Sequence, residues 1–94
     1  MTPPELNLEA EILSRFRRQT NLSNKYQIYR GFWRRKIVLR INLPANEQLV
    51  LDTFWRRKMP QLVAVAEAMN LCFYIQILVD GEICWLPWKV DRIS

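Results

Sequence analysis

The chain contains no histidine, and that absence removes the commonest general base, the commonest zinc ligand and any Ser-His or Cys-His nucleophile pair. Only two glycines occur, Gly31 and Gly81. A phosphate-cradling Walker loop or a dinucleotide-binding fingerprint needs more of them, because backbone must approach phosphate closely. The two cysteines, Cys72 and Cys84, stand too far apart for a local Cys-x-x-Cys redox or zinc knuckle and read as small buried apolar residues. Long apolar runs are missing too. The longest stretch without a charge, Ala68 to Val79, has twelve residues, against the roughly 18 or more of a membrane-spanning helix. The opening Met-Thr-Pro-Pro-Glu has no basic segment leading into an apolar run, so the expected address is cytoplasmic, with no membrane partner.

What remains is 94 residues, half of them hydrophobic, enough for a single domain spanning residues 1–94 with a modest core. Thr2 to Glu5 has the form of a capping box and predicts a helix start. Leu6, Ala10, Leu13, Phe16 and Thr20 then recur at helical spacing, with Leu8 and Ile12 widening the stripe. Acids come early in this segment and Arg15, Arg17 and Arg18 late, which suits the helix dipole. From Ile37 to Leu43 the period changes to two, the signature of a strand with one buried face. Tyr26 to Arg30 reads as its shorter hairpin partner, with Gly31 as the natural turn and a single bent strand through Trp33 as the alternative.

A second helical pattern runs from Leu51 through Trp55, Met59, Leu62 and Ala66 to Met69. Pro60 inside it predicts a kink or two abutting helices near Lys58 and Met59. Two apolar, β-branched runs, Leu71 to Val79 and Ile83 to Val90, flank Asp80-Gly81, the strongest hairpin signal in the chain. A two-residue turn there pairs Val79 with Glu82, Ile75 with Leu86 and Phe73 with Trp88, and sets Cys72 opposite Lys89. The order is α-β-β-α(kinked)-β-β, and the predicted fold is α+β: a two-layer arrangement of helices on an antiparallel sheet of about four strands.

One face of the terminal hairpin is plainly core. The other carries Tyr74, Leu78, Ile83 and Trp85 with little to solvate it. Either the first helix crosses that side, or these four residues form a protein interface, with a second copy of the chain or another protein as partner.

The charge is distributed unevenly. Between Arg15 and Lys58 there are twelve basic residues and two acids, whereas the rest of the chain holds two basic residues and seven acids. A basic cluster attracts phosphate-bearing polymers through counterion release. Within this region Phe-Trp-Arg-Arg-Lys occurs twice, at residues 32–36 and 54–58. Rings that stack beside guanidinium groups that grip phosphate suit nucleic acid, although Trp and Arg also dominate protein-protein hot spots. The plainer reading has Phe54 and Trp55 facing the core while Arg56, Arg57 and Lys58 solvate the outer side of a helix. Arg30-Gly31-Phe32-Trp33 reproduces only the first part of the RNA-recognition-motif core and carries no weight. For catalysis, Asp80 and Glu82 flank a turn that offers no pocket, and no base partners the tyrosines.

The sequence therefore predicts a non-catalytic basic module without metal, cofactor or small-molecule substrate. Its partner is nucleic acid, held mainly through phosphate by Arg15, Arg17, Arg18, Trp33, Arg34, Arg35, Lys36, Arg56, Arg57 and Lys58 on one shared surface. The alternative is a homo-oligomeric or adaptor protein using the terminal hairpin face.

Overall fold

A computed structural model describes residues 4–46, 55–83 and 87–90. Helix α1 covers Pro4–Thr20, strands β1 and β2 cover Gln27–Trp33 and Lys36–Leu43, helix α2 covers Arg56–Ala68, and β3, β4 and β5 cover Tyr74–Val79, Glu82–Ile83 and Trp88–Lys89. The order α-β-β-α-β-β is the one the periodicity predicts. Both helices stop the same way. Asn21 and Asn70 take left-handed backbone, with φ of 53° and 55°. The next residue's N–H returns to the last turn, Leu22 to the Arg17 carbonyl at 3.0 Å and Leu71 to the Ala66 carbonyl at 2.9 Å. Asparagine tolerates this conformation, and the buried leucine after it seals each helix end.

The sheet is mixed rather than antiparallel throughout. β1 pairs antiparallel with β2, β2 pairs parallel with β3, and β3 pairs antiparallel with both β4 and β5 on its far side. The reason is α2: it carries the chain from the end of β2 back to the start of β3, and such a crossover makes its flanking strands parallel. The antiparallel expectation considered each hairpin alone and not how the hairpins join.

Ile37, Leu39, Ile41 and Leu43 face the helices, in line with Ile75, Ile77 and Val79 on β3. Phe16, Met59, Leu62 and Ala66 from the helices close the core over them, with Trp55 and Tyr26 meeting edge to face at 5.2 Å. Only part of the predicted stripe of α1 is used: Phe16 and Thr20 are buried, whereas Leu8 is 59% exposed. Likewise Met59, Leu62 and Ala66 alone are buried in α2, while Ala64 and Ala68 face solvent. Pro60 lies inside α2, which runs unbroken from Arg56, so no break falls at Lys58 or Met59. That early in a helix a proline removes a single interior hydrogen bond. The Thr2 cap, Leu51, Phe54, Cys84, Leu86 and Trp85 lie outside the described residues.

Two local predictions fail for identifiable reasons. Gly31 is not the turn: β1 runs through it, with Gly31 opposite Val38, and the chain reverses at Arg34 and Arg35 between paired Trp33 and Lys36. The Arg40 guanidinium lies over this glycine, with Nη1 2.6 Å from where a Cβ would stand, so a side chain here would displace the tip of Arg40. The terminal hairpin starts in the predicted register, Val79 with Glu82. It then slips by two, so that Ile75 faces Trp88 and Lys89 faces Tyr74 rather than Cys72. Pro87, just before β5, cannot donate to a ladder. A slip of two preserves which side each residue faces.

Candidate nucleic-acid interface

The β1–β2 turn is built from residues that disfavour its geometry. Both central positions have positive φ, 51° at Arg34 and 68° at Arg35, as a two-residue primed hairpin turn requires. For residues with a Cβ this costs about 1 kcal/mol each. Both side chains are exposed at the tip, as is Lys36. The Arg34 guanidinium lies 4.5 Å over the Trp33 ring, and the Lys36 ammonium lies 5.3 Å from the Phe73 ring, cation–π contacts made by exposed residues.

Trp33 is on the sheet face away from the helices. Its ring meets Tyr74 at 5.0 Å and 75°. Because β2 lies between β1 and β3, this contact passes above Val38, which is fully buried although no part of the helix-side core. Farther along the same face, Arg40 donates from Nε to Gln76 Oε1 at 3.0 Å and from Nη2 to the Phe32 carbonyl at 3.1 Å. Lys89, exposed, sits across from Tyr74. One end of this face therefore gathers Arg34, Arg35, Lys36 and Lys89 around the Trp33–Tyr74 pair. None of these four cations forms an ion pair with a described residue.

Trp55 to Lys58, the described part of the second Phe-Trp-Arg-Arg-Lys segment, lie at the other end of the molecule. α2 begins where β2 finishes, beside Tyr26, and ends where β3 starts, where Phe73 N–H donates to the Ile37 carbonyl at 2.8 Å. From Lys36 to Leu43 the sheet spans roughly 23 Å. The shared surface expected from sequence therefore resolves into two clusters. At the α2 end, Lys58 Nζ donates to the Thr20 carbonyl at 2.6 Å and to Gln61 at 3.2 Å, and an Arg17 guanidinium N–H donates to the Ser23 carbonyl. Both thus serve the C-terminal end of α1, where cations complement the helix dipole. Arg18, Arg56 and Arg57 are exposed. Arg15 lines a third place, a cleft of about 510 Å³ between α1 and the end of α2, together with Gln19, Arg30 and Met69.

Arg30 is occupied structurally. It forms a two-point ion pair with Glu9 of α1, Nε reaching Oε2 at 2.9 Å, and donates through Nη1 to the Leu71 carbonyl at 3.1 Å. The hydrogen bond from Arg30 holds the Glu9 carboxyl below its usual range, with partial desolvation opposing it and the neighbouring charge adding to it. The same hydrogen bond raises Arg30.

For the protein interface predicted on the terminal hairpin, Leu78 is buried, Tyr74 is half-buried against Trp33, and Ile83 is 57% exposed. α1 packs on the opposite face and does not cover it. The Arg40–Gln76 bond and the ring pair occupy much of this surface instead. Sequence reasoning missed Lys89 as a member of the basic end and Arg40 as the side chain that braces the same face. The register slip hides Lys89, and no periodicity reports that Arg40 bends over a glycine.

Among the described residues no helix is long and apolar enough to cross a membrane, and no three His, Cys, Asp or Glu side chains group as metal ligands. Compared with family models, curated proteins and solved structures, the chain finds no match.

Proposed function

We propose that the protein is a non-catalytic nucleic-acid-binding module whose contact surface is the β1–β2 turn and the sheet end beside it, rather than every basic residue of the chain. The observation that carries this reading is the strained Arg34-Arg35 turn: two exposed guanidiniums without carboxylate partners among the described residues, set beside the Trp33–Tyr74 ring pair. Backbone strain that a glycine would relieve is retained where the side chains serve a purpose. Arg34, Arg35, Lys36 and Lys89 neutralise phosphates, and Trp33 offers a ring for a base. Contacts of this kind favour a flexible single strand over a closed duplex and give weak sequence preference. Arg56 and Arg57, at the far end, add a second, weaker phosphate contact, whereas Arg17 and Lys58 hold α1.

Titration of a labelled single strand and a labelled duplex, each at two salt concentrations, tests the proposal. Binding of the single strand is expected to weaken with salt at a log-log slope of about −3, the value for roughly four neutralised phosphates, with tryptophan fluorescence quenched. Absence of binding at low salt, or affinity indifferent to salt, overturns it.

A further inference from the structure

The two rings that precede the β1–β2 turn are not equally free. Trp33, on the sheet face away from the helices, carries the Arg34 guanidinium 4.5 Å over its ring and meets Tyr74 edge to face at 5.0 Å. A base that stacks there must displace one of these partners. Phe32, one residue earlier, points to the opposite face, as successive strand residues do. It is 72% exposed, and among the described residues it makes neither a ring contact nor a cation–π contact.

A single exposed ring is ordinary by itself; its surroundings set this one apart. Phe32 stands beside a hollow of about 180 Å³ bounded by Arg30, Gly31 and Ile37. The walls are held in place. Arg30 is fixed by Glu9 and by the Leu71 carbonyl, the Ile37 carbonyl accepts the Phe73 N–H at 2.8 Å, and Arg40 Nη2 braces the Phe32 carbonyl at 3.1 Å. Arg40 covers Gly31 from the outer face, whereas the side chains of Phe32 and Ile37 stand on the helix side, where the hollow stays open. Drug-sized ligands fill roughly 300 Å³ or more, so this space suits one flat ring system. Two residues on, at the same end, Arg34 and Arg35 offer guanidiniums with no carboxylate among the described residues. An occupant that lays a ring on Phe32 therefore brings whatever is joined to that ring against two cations, and a nucleotide supplies ring and phosphate together.

We infer that Phe32 and this hollow form the principal base site of the module. One unpaired base stacks on the Phe32 ring on the helix side, and the adjoining phosphates meet Arg34 and Arg35 at the tip. The strand thus rounds the end of the hairpin instead of following one sheet face, with Trp33 as the second ring beyond the turn. A duplex keeps its bases stacked on one another and has none to give. The inference rests on the nucleic-acid reading and adds to it the place where a base, rather than a phosphate, is held.

A double-mutant cycle between the ring and the base tests it. The full chain and its Phe32→Ala and Phe32→Trp variants are titrated at low salt with a labelled oligothymidylate of about twelve nucleotides and with an abasic strand of the same length and charge. Phe32→Ala should weaken oligothymidylate binding roughly tenfold, within the range for a base stacked on an aromatic side chain, with the salt slope unchanged because no phosphate contact is lost. The abasic strand should bind more weakly to wild type and be indifferent to Phe32→Ala. Phe32→Trp should bind oligothymidylate at least as well as wild type. Far-UV circular dichroism checks the fold of both variants at this exposed position. If wild type binds but Phe32→Ala changes nothing, or weakens both strands equally, the base site is overturned while the nucleic-acid reading stands. If wild type binds neither strand, both fall. Self-association without nucleic acid that Phe32→Ala abolishes gives the hollow to a second copy and also overturns the inference.

Discussion

Two hairpin turns in this chain share one geometry and differ in every side chain that makes it. At the β3–β4 turn, Asp80 and Gly81 adopt φ of 51° and 81°, and Asn42 Oδ1 accepts the Gly81 N–H at 2.8 Å. Aspartate and glycine are residues that reach left-handed backbone at little cost. At the β1–β2 turn, Arg34 and Arg35 take the same positive φ without that help. The first turn is explained by the backbone preferences of its residues. The second is not, and it is the end of the molecule on which the proposed function rests.

Five variants would break or sharpen this contrast. The largest expected effect is on binding: Arg34→Glu with Arg35→Glu should lower single-strand affinity at least a hundredfold at low salt, from roughly four reversed charge units at the contact. The matching pair Arg56→Glu and Arg57→Glu should cost tenfold or less. Equal losses from both pairs would return the interface to the whole basic surface. Next, Arg34→Asn with Arg35→Gly should stabilise the fold by about 1–2 kcal/mol in urea unfolding, by relieving two strained φ angles, while weakening binding. A destabilised double variant would remove the strain argument.

Gly81→Ala should act in the opposite sense, destabilising by about 1 kcal/mol because alanine resists φ near 81°, with binding unchanged. Smallest is Glu9→Gln, which tests whether the anchoring of β1 rather than its turn governs stability. Both partners are partly exposed, so the loss should be about 0.5–1 kcal/mol. The carboxyl is depressed in the folded state. Its contribution is therefore full above the unfolded-state pKa and disappears as pH falls through the folded one. Wild type and variant should thus differ at neutral pH and converge in acid. A constant gap across that range would show that the pair contributes through packing alone.

Much of the fold was legible residue by residue. Helical spacing placed Phe16, Thr20, Met59, Leu62 and Ala66 on buried faces, and period-two alternation placed Leu39, Ile41, Ile75 and Ile77 in one core layer. Asp80-Gly81 announced its hairpin because those two residues carry the turn preference themselves. The Arg34-Arg35 turn gave no such signal, and Gly31 gave a false one, since a glycine inside a strand looks the same in sequence as a glycine required by a turn. The candidate site was half legible. The clustering of rings and guanidiniums within residues 32–36 was visible, but the basic residues of the identical string at 54–58 were assigned to the same surface.

The sequence by itself determined which residues are apolar at which period, where the asparagines and the Asp-Gly pair permit reversal, and that positive charge gathers in the middle of the chain. These are local properties, set by side-chain chemistry and a few neighbours. Only the tertiary structure decided that β2 and β3 run parallel, that Lys89 joins Tyr74, that Arg17 and Lys58 are drawn to the end of α1, and that two copies of one pentapeptide stand at opposite ends. Each depends on how elements distant in sequence pack, where burial of shared apolar area and the reach of a crossover helix outweigh any preference written in a short segment.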